Sequence, residues 1–194
     1  MRKIILYPNE VLRKKVSDVT EIDKTTAKEI EELKKLLAEG ENAAGLAAPQ
    51  IGVSKNFFGM KVDGEVKVYF NPKLIKTWGE RVYPKIMKSP ASVRDSGEAM
   101  EDFLEGCLSF PDYFGTVKRW LKIEVEWQEL IGKKFITKRK ELEGFEAIVW
   151  QHESDHLIGK LFVDYIKKDG GKFYKWNGKE MVKADIDEIL DARF

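Results

Sequence analysis

Phe145-Glu146-Ala147-Ile148-Val149-Trp150-Gln151-His152-Glu153-Ser154-Asp155-His156-Leu157 is the stretch on which the reading of this chain turns. Phe145, Ile148, Val149, His152 and His156 fall at i, i+3, i+4, i+7 and i+11, one face of a helix, so both imidazoles are expected on the inward face. His152 and His156 stand slightly more than one helical turn apart, and side chains at that spacing can reach one ion. They are also the only histidines in the chain. An isolated buried histidine usually just satisfies a hydrogen bond, but a sole pair at chelating spacing around a glutamate points to a metal. Glu153 stands beside such an ion without having to ligate it. There a carboxylate can take a proton from water and return it to a leaving group.

A catalytic metal site needs a third protein ligand and an open position. The chain offers one soft donor, Cys107, in Glu105-Gly106-Cys107-Leu108-Ser109, where Gly106 permits a close backbone approach. A lone cysteine is by itself as well read as a small buried hydrophobe, and a nucleophilic thiol is a further alternative. A peptidase built on H-E-x-x-H would take its third ligand downstream, where no third histidine exists. A closed structural site would need a fourth protein ligand.

Upstream, apolar positions at Ala27, Ile30, Leu33, Leu36 and Leu37 predict a helix from about Asp23 to Glu39, with Thr26 and Glu29 as a capping box and Gly40 as the stop. Gly45-Leu46-Ala47-Ala48-Pro49-Gln50-Ile51-Gly52 suits neither a long helix nor a central strand and reads as a tightly packed loop or short extended segment. Phe57–Val62 and Val66–Phe70, joined through Asp63-Gly64, predict a hairpin. Thr77 to Phe103 reads as a long irregular surface insertion. The alternation Leu121-Lys122-Ile123-Glu124-Val125-Glu126-Trp127 predicts a half-buried strand, followed after Gly132 by a weaker one near Lys134 to Thr137. Beyond Asp164 the chain turns polar, with an Asn177-Gly178 hairpin and a short helix near Asp185 to Asp191 expected.

Composition narrows the function classes. A chain of 194 residues is long enough for one domain with a sizeable core. Its 34 basic and 33 acidic residues nearly cancel, which leaves no electrostatic footprint for direct nucleic-acid binding. No apolar run is long enough to span a membrane, and the N-terminus lacks the apolar segment of a signal peptide, so a soluble, cytoplasmic protein is expected. A single cysteine excludes an intramolecular disulfide framework.

Three segments, Gly45–Gly52, Glu105–Ser109 and Gln151–Leu157, resemble the three signature motifs of peptide deformylases in that family's order, within a likeness running from about Ile4 to Tyr165. The resemblance implies an α+β fold, antiparallel β-sheet wrapped around a central helix, with one divalent metal held by Cys107, His152 and His156. Ferrous iron is the ion it implies, with zinc, nickel or cobalt as alternatives; imidazole and thiolate select poorly among them. It implies a hydrolase that removes the formyl group from formyl-methionyl nascent peptides: a metal-activated hydroxide attacks the formyl carbon and Glu153 carries the proton to the departing amine. Gln50 and the backbone N–H of Leu108 would donate to the developing oxyanion. A methionine slot would be lined by Ala44, Phe103, Phe145, Ile148 and Val149, with Gly45, Glu105 and Gly106 alongside the peptide; Phe145, Ile148 and Val149 are equally well read as core. Arg119 would steady either the peptide or the Glu105 carboxylate, although an arginine in so charged a chain is most often simply solvated.

The chain departs from the pattern at Ala43, where the family carries glycine, in the stretch 77–103, and in the tail. A catalytic domain over 1–166 and a C-terminal extension over 167–194 are expected. That tail does not resemble the basic helix family members use for transient association with the ribosome.

Overall fold

The computed structural model describes residues 2–87, 100–132 and 134–191. Helix α1 spans Lys24–Glu39. Its N-cap is Asp23, whose carboxylate accepts from the Thr26 N–H at 2.6 Å and from the Thr26 hydroxyl. The expected Thr26–Glu29 box does not form: Asp23 is the N-cap, so Thr26 already lies within the first turn, and Glu29 pairs with Lys55 and Arg2. Gly40 ends the helix as expected.

Strand β1 covers Gly45–Ala47 and runs into a short 3-10 turn, Ala48–Ile51, with Pro49 as its second residue. Both halves of the reading of this segment are thus met. Strands β2, Phe57–Val62, and β3, Glu65–Trp78, form the expected hairpin, with Asp63 and Gly64 both at positive φ (53° and 82°). Strand β3 continues well past Phe70. The described ends of the stretch 77–103 are not irregular: β4, Lys85–Met87, pairs antiparallel with β5, Met100–Asp102, while residues 88–99 lie outside the described part. Strands β6, Glu105–Cys107, and β7, Phe110–Gly115, follow, then the long hairpin of β8, Lys122–Ile131, and β9, Lys134–Glu143. Helix α2 spans Gly144–Leu157 and α3 Phe162–Asp169. The tail holds the expected hairpin, β10 Phe173–Trp176 and β11 Met181–Lys183, and a last helix, α4 Ile186–Leu190.

The strands form a five-stranded sheet ordered β1-β2-β3-β8-β9, a four-stranded sheet ordered β11-β10-β7-β6, and the small β4-β5 pair. All described pairings in them are antiparallel. Helix α2 lies between the two larger sheets. On one side Trp150 packs into Phe58, Tyr69 and Trp127, with ring centroids 4.8–5.6 Å apart in edge-to-face geometry. On the other side His152 faces Phe162, which itself meets Phe110 edge-on. Because both sheets cover it, α2 is buried nearly all round rather than along one stripe, and Trp150 and Gln151 are as deeply placed as the histidines. Phe145 departs from the expected inward face and is 58% exposed, since its turn projects past the sheets. It meets Phe103 edge-on at 5.9 Å.

Candidate active site

One edge strand of each larger sheet, β1 and β6, flanks the middle of α2, and the chemistry-bearing groups collect there. Cys107 ends β6, while His152 and His156 project from successive turns of α2. Their donor atoms all lie within 4.8 Å of one another, with Cys107 Sγ 3.4 Å from His156 Nε2. Two imidazole nitrogens and one sulfur at these separations suit a single ion with bonds of about 2.0–2.3 Å, so the residues fit a three-ligand divalent site.

The ligands are held from behind. His152 Nδ1 lies 3.0 Å from Glu105 Oε2; the carboxylate can only accept, so Nδ1 carries the proton and Nε2 is left for a metal. Arg119 donates to both oxygens of Glu105 (2.7 and 2.9 Å) and to Asp155 at 2.6 Å, and the Tyr165 hydroxyl donates to the other Asp155 oxygen. Burial by itself would raise the Glu105 carboxyl, but Arg119 outweighs it and holds the group down at about 2. Burial lowers His156 well below its usual value, whereas for His152 burial is outweighed by hydrogen bonds to Cys107 and Glu105, which raise it.

Glu153 is only 4% exposed, and its Oε2 has no hydrogen-bond partner among the described residues. Burial pushes its carboxyl up to about 7. Gln50 is fixed by the Ala47 N–H, which donates to Oε1 at 2.8 Å, leaving Nε2 to donate to Ser109 Oγ at 3.2 Å and to Cys107 Sγ at 3.3 Å. Leu108 occupies the turn directly after Cys107. Gly45 lets β1 pass against Glu153: a Cβ there would lie 2.5–2.7 Å from the Glu153 side chain. Gly45→Ala is therefore expected to displace that carboxylate and cut turnover by about 10²-fold while metal content stays at one equivalent. Steady-state kinetics beside metal analysis check this, and an unchanged rate would remove Gly45 from the argument.

A cleft of about 670 Å³ opens over these groups. Of the residues expected to hold substrate, Ala44, Gly45, Phe103, Glu105, Gly106, Phe145, Ile148 and Val149 all line it, together with Gln50, Leu108, Cys107, His152 and Glu153. Arg119 does not: it is 3% exposed and engaged with Glu105 and Asp155, the second of the two readings offered by the sequence. Ala43 packs its side chain into the cluster of Leu37, Leu46 and Phe57. Asp155, Ser109 and Tyr165 were missed. Asp155 had a local signal, lying three residues after His152 within the chelating motif, but its partners come from distant segments.

A profile of the polypeptide deformylase family matches residues 1–172. The chain belongs to that family. It is 35% identical over 167 residues to peptide deformylase of Thermotoga neapolitana, covering 86% of this chain and 88% of that protein. It is 36% identical over 171 residues to peptide deformylase 1 of Bacillus cereus, covering 86% and 92%. Among solved structures, the crystal structure of peptide deformylase from Thermotoga maritima superposes with a TM-score of 0.68 at 34% identity, over 85% of this chain and 97% of that one. That of Legionella pneumophila superposes with a TM-score of 0.68 at 33% identity, over 85% of each chain. This deformylase is thus a hydrolase that removes the N-terminal formyl group from nascent peptides, and its family is metal-dependent. No described helix is long and apolar enough to cross a membrane.

Proposed function

We propose that Cys107, His152 and His156 hold one ferrous ion, replaceable by zinc, nickel or cobalt, and that Glu153, Gln50 and the Leu108 N–H carry the deformylation. The observation that supports this most is a buried, unpartnered carboxylate beside a converging thiol and imidazole pair. The ion, when bound, supplies Lewis acidity at the fourth, open position of a three-ligand site. Glu153 holds the proton of the attacking water at its carboxylate and passes it to the departing amine; a carboxyl poised near 7 can do both. Gln50 Nε2, aimed at the Cys107 sulfur, and the Leu108 N–H donate to the oxyanion that forms on the formyl oxygen. The peptide backbone adds between the free edges of β1 and β6, as an extended segment adds to any open strand. Its methionine side chain enters the slot of Ala44, Phe103, Phe145, Ile148 and Val149, with Gly45, Glu105 and Gly106 beside it.

Residues 1–166 form the catalytic unit in this reading, and the extension 167–194 backs it through the pairing of β10 with β7. Because the substrate is a nascent chain, the enzyme works in the cytoplasm and meets the ribosome transiently. The test is formate release from formyl-Met-Ala-Ser by protein purified without oxygen and loaded with ferrous iron. Turnover that stops on chelation and returns with metal is expected. Protein loaded with iron, nickel and zinc in turn that releases nothing would overturn the reading.

A further inference from the structure

The charge of the cleft carries an inference about which formylated chains the enzyme prefers, and it rests on the function proposed above. Among the described residues the cleft lining contains no lysine or arginine, whereas Glu41, Glu105, Asp112 and Glu153 all line it. Glu105 is matched by Arg119 underneath. Glu153 lines the cavity at its buried, reacting end, with one oxygen that has no hydrogen-bond partner among the described residues. Glu41 and Asp112 remain: both are exposed, and neither takes part in an ion pair among the described residues.

Their positions in the fold put them at the mouth, on the two walls between which the peptide would run. Glu41 lies in the turn between α1 and β1, on the side of the five-stranded sheet. Asp112 lies on the other sheet, in a bulge of β7. Cys107 pairs with Phe110 and Gly106 with Phe114, so Pro111, Asp112 and Tyr113 have no partner on β6, and Asp112 takes φ of 67°. Two described cations stand beside the chain neighbours of these acids, each held by a contact of its own: the Lys61 ammonium donates to the Gly40 carbonyl, and that of Lys175 stands 5.4 Å from the Tyr113 ring centre. Neither lines the cleft.

We infer that Glu41 and Asp112 make the outer cleft selective for formyl-methionyl chains that carry lysine or arginine among the three residues following the methionine, and selective against chains acidic there. With formyl-methionine at the metal end, an extended chain advances about 3.4 Å per residue, so those residues cross the mouth. The chain itself stays paired to the strand edges whatever its side chains, so charge at the mouth acts on capture rather than on the reacting groups.

The experiment compares formyl-Met peptides that carry lysine or glutamate at the second, third or fourth position and are otherwise neutral, using metal-loaded enzyme. Each enzyme form serves as its own reference through the ratio of kcat/KM for the lysine to the glutamate peptide. At low ionic strength the ratio is expected to be about fivefold or more at one position at least, expressed in KM, as two exposed carboxylates acting together allow. It is expected to fall towards one in high salt, where exposed charges are screened. It is also expected to fall towards one in the double variant Glu41→Gln, Asp112→Asn. A ratio near one in the wild type, or one that survives in the double variant, would overturn the inference. Failure of the wild type on formyl-Met-Ala-Ser would instead count against the function reading, so the two failures are distinguishable.

Discussion

Glu153→Gln, loaded with one equivalent of metal, is expected to release formate about 10²–10⁴-fold more slowly than the wild type, the range a positioned proton carrier supplies. The substitution keeps the shape of a side chain that is packed against Gly45 and buried next to His152, but it removes the site that takes and returns the proton. None of the three proposed metal ligands is touched, so metal content is expected to stay at one equivalent. The change in stability has a definite sign as well. A buried carboxylate with a partnerless oxygen costs free energy in the folded state, and an amide costs less. The metal-free variant is therefore expected to melt no lower than the wild type, which separates lost chemistry from lost folding. Formate release and metal analysis on the same preparation decide the matter. A variant that keeps its metal and its rate would end the case for Glu153 as proton carrier.

What could be read from the sequence follows from how local each signal is. The helix that bears both histidines was legible because a pair spaced at i and i+4 is a property of one helix, and the first hairpin because Asp63-Gly64 demands positive φ at adjacent residues. Helix α3 was not read. Its eight residues lie in a stretch that turns polar, and its buried Phe162, Val163 and Ile166 pack against β7 and β10 residues that no local pattern indicates. Strands β6 and β7 were hidden by the bulge at Pro111–Tyr113, which breaks the period of two. Strand β9 runs on past Thr137 because Lys138, Arg139, Lys140 and Glu141 lie on an edge strand with solvent available to them, so charge there does not argue against a strand. The face of α2 was misjudged at Phe145, since a periodicity argument cannot say where the covering sheets stop. Arg119 was legible only through the family resemblance, which offered Glu105 as one of its two partners. Composition favours a solvated arginine, and only the folding together of Glu105, Asp155 and Tyr165 makes it a buried one.

That arginine carries the second large effect. Arg119→Met is expected to lower stability by about 3–5 kcal/mol, the usual result of deleting one side of a buried ion pair. For a chain of this length that corresponds to a melting temperature lower by roughly 10 °C. The substitution removes three charge-assisted hydrogen bonds and leaves Glu105 and Asp155 without their shared cation. A second consequence distinguishes positioning from mere packing. Glu105 holds the Nδ1–H of His152, and a Glu105 no longer clamped by two guanidinium contacts holds it less firmly. Metal affinity, measured by competition with a chelator, is therefore expected to fall about 10–100-fold. Arg119→Lys restores the charge but not the fork that spans both oxygens of Glu105 and reaches Asp155. It should recover part of the melting temperature and less of the metal affinity. A melting temperature unchanged by Arg119→Met would mean that the guanidinium is solvated, and the clamp behind His152 would have to be sought in another residue.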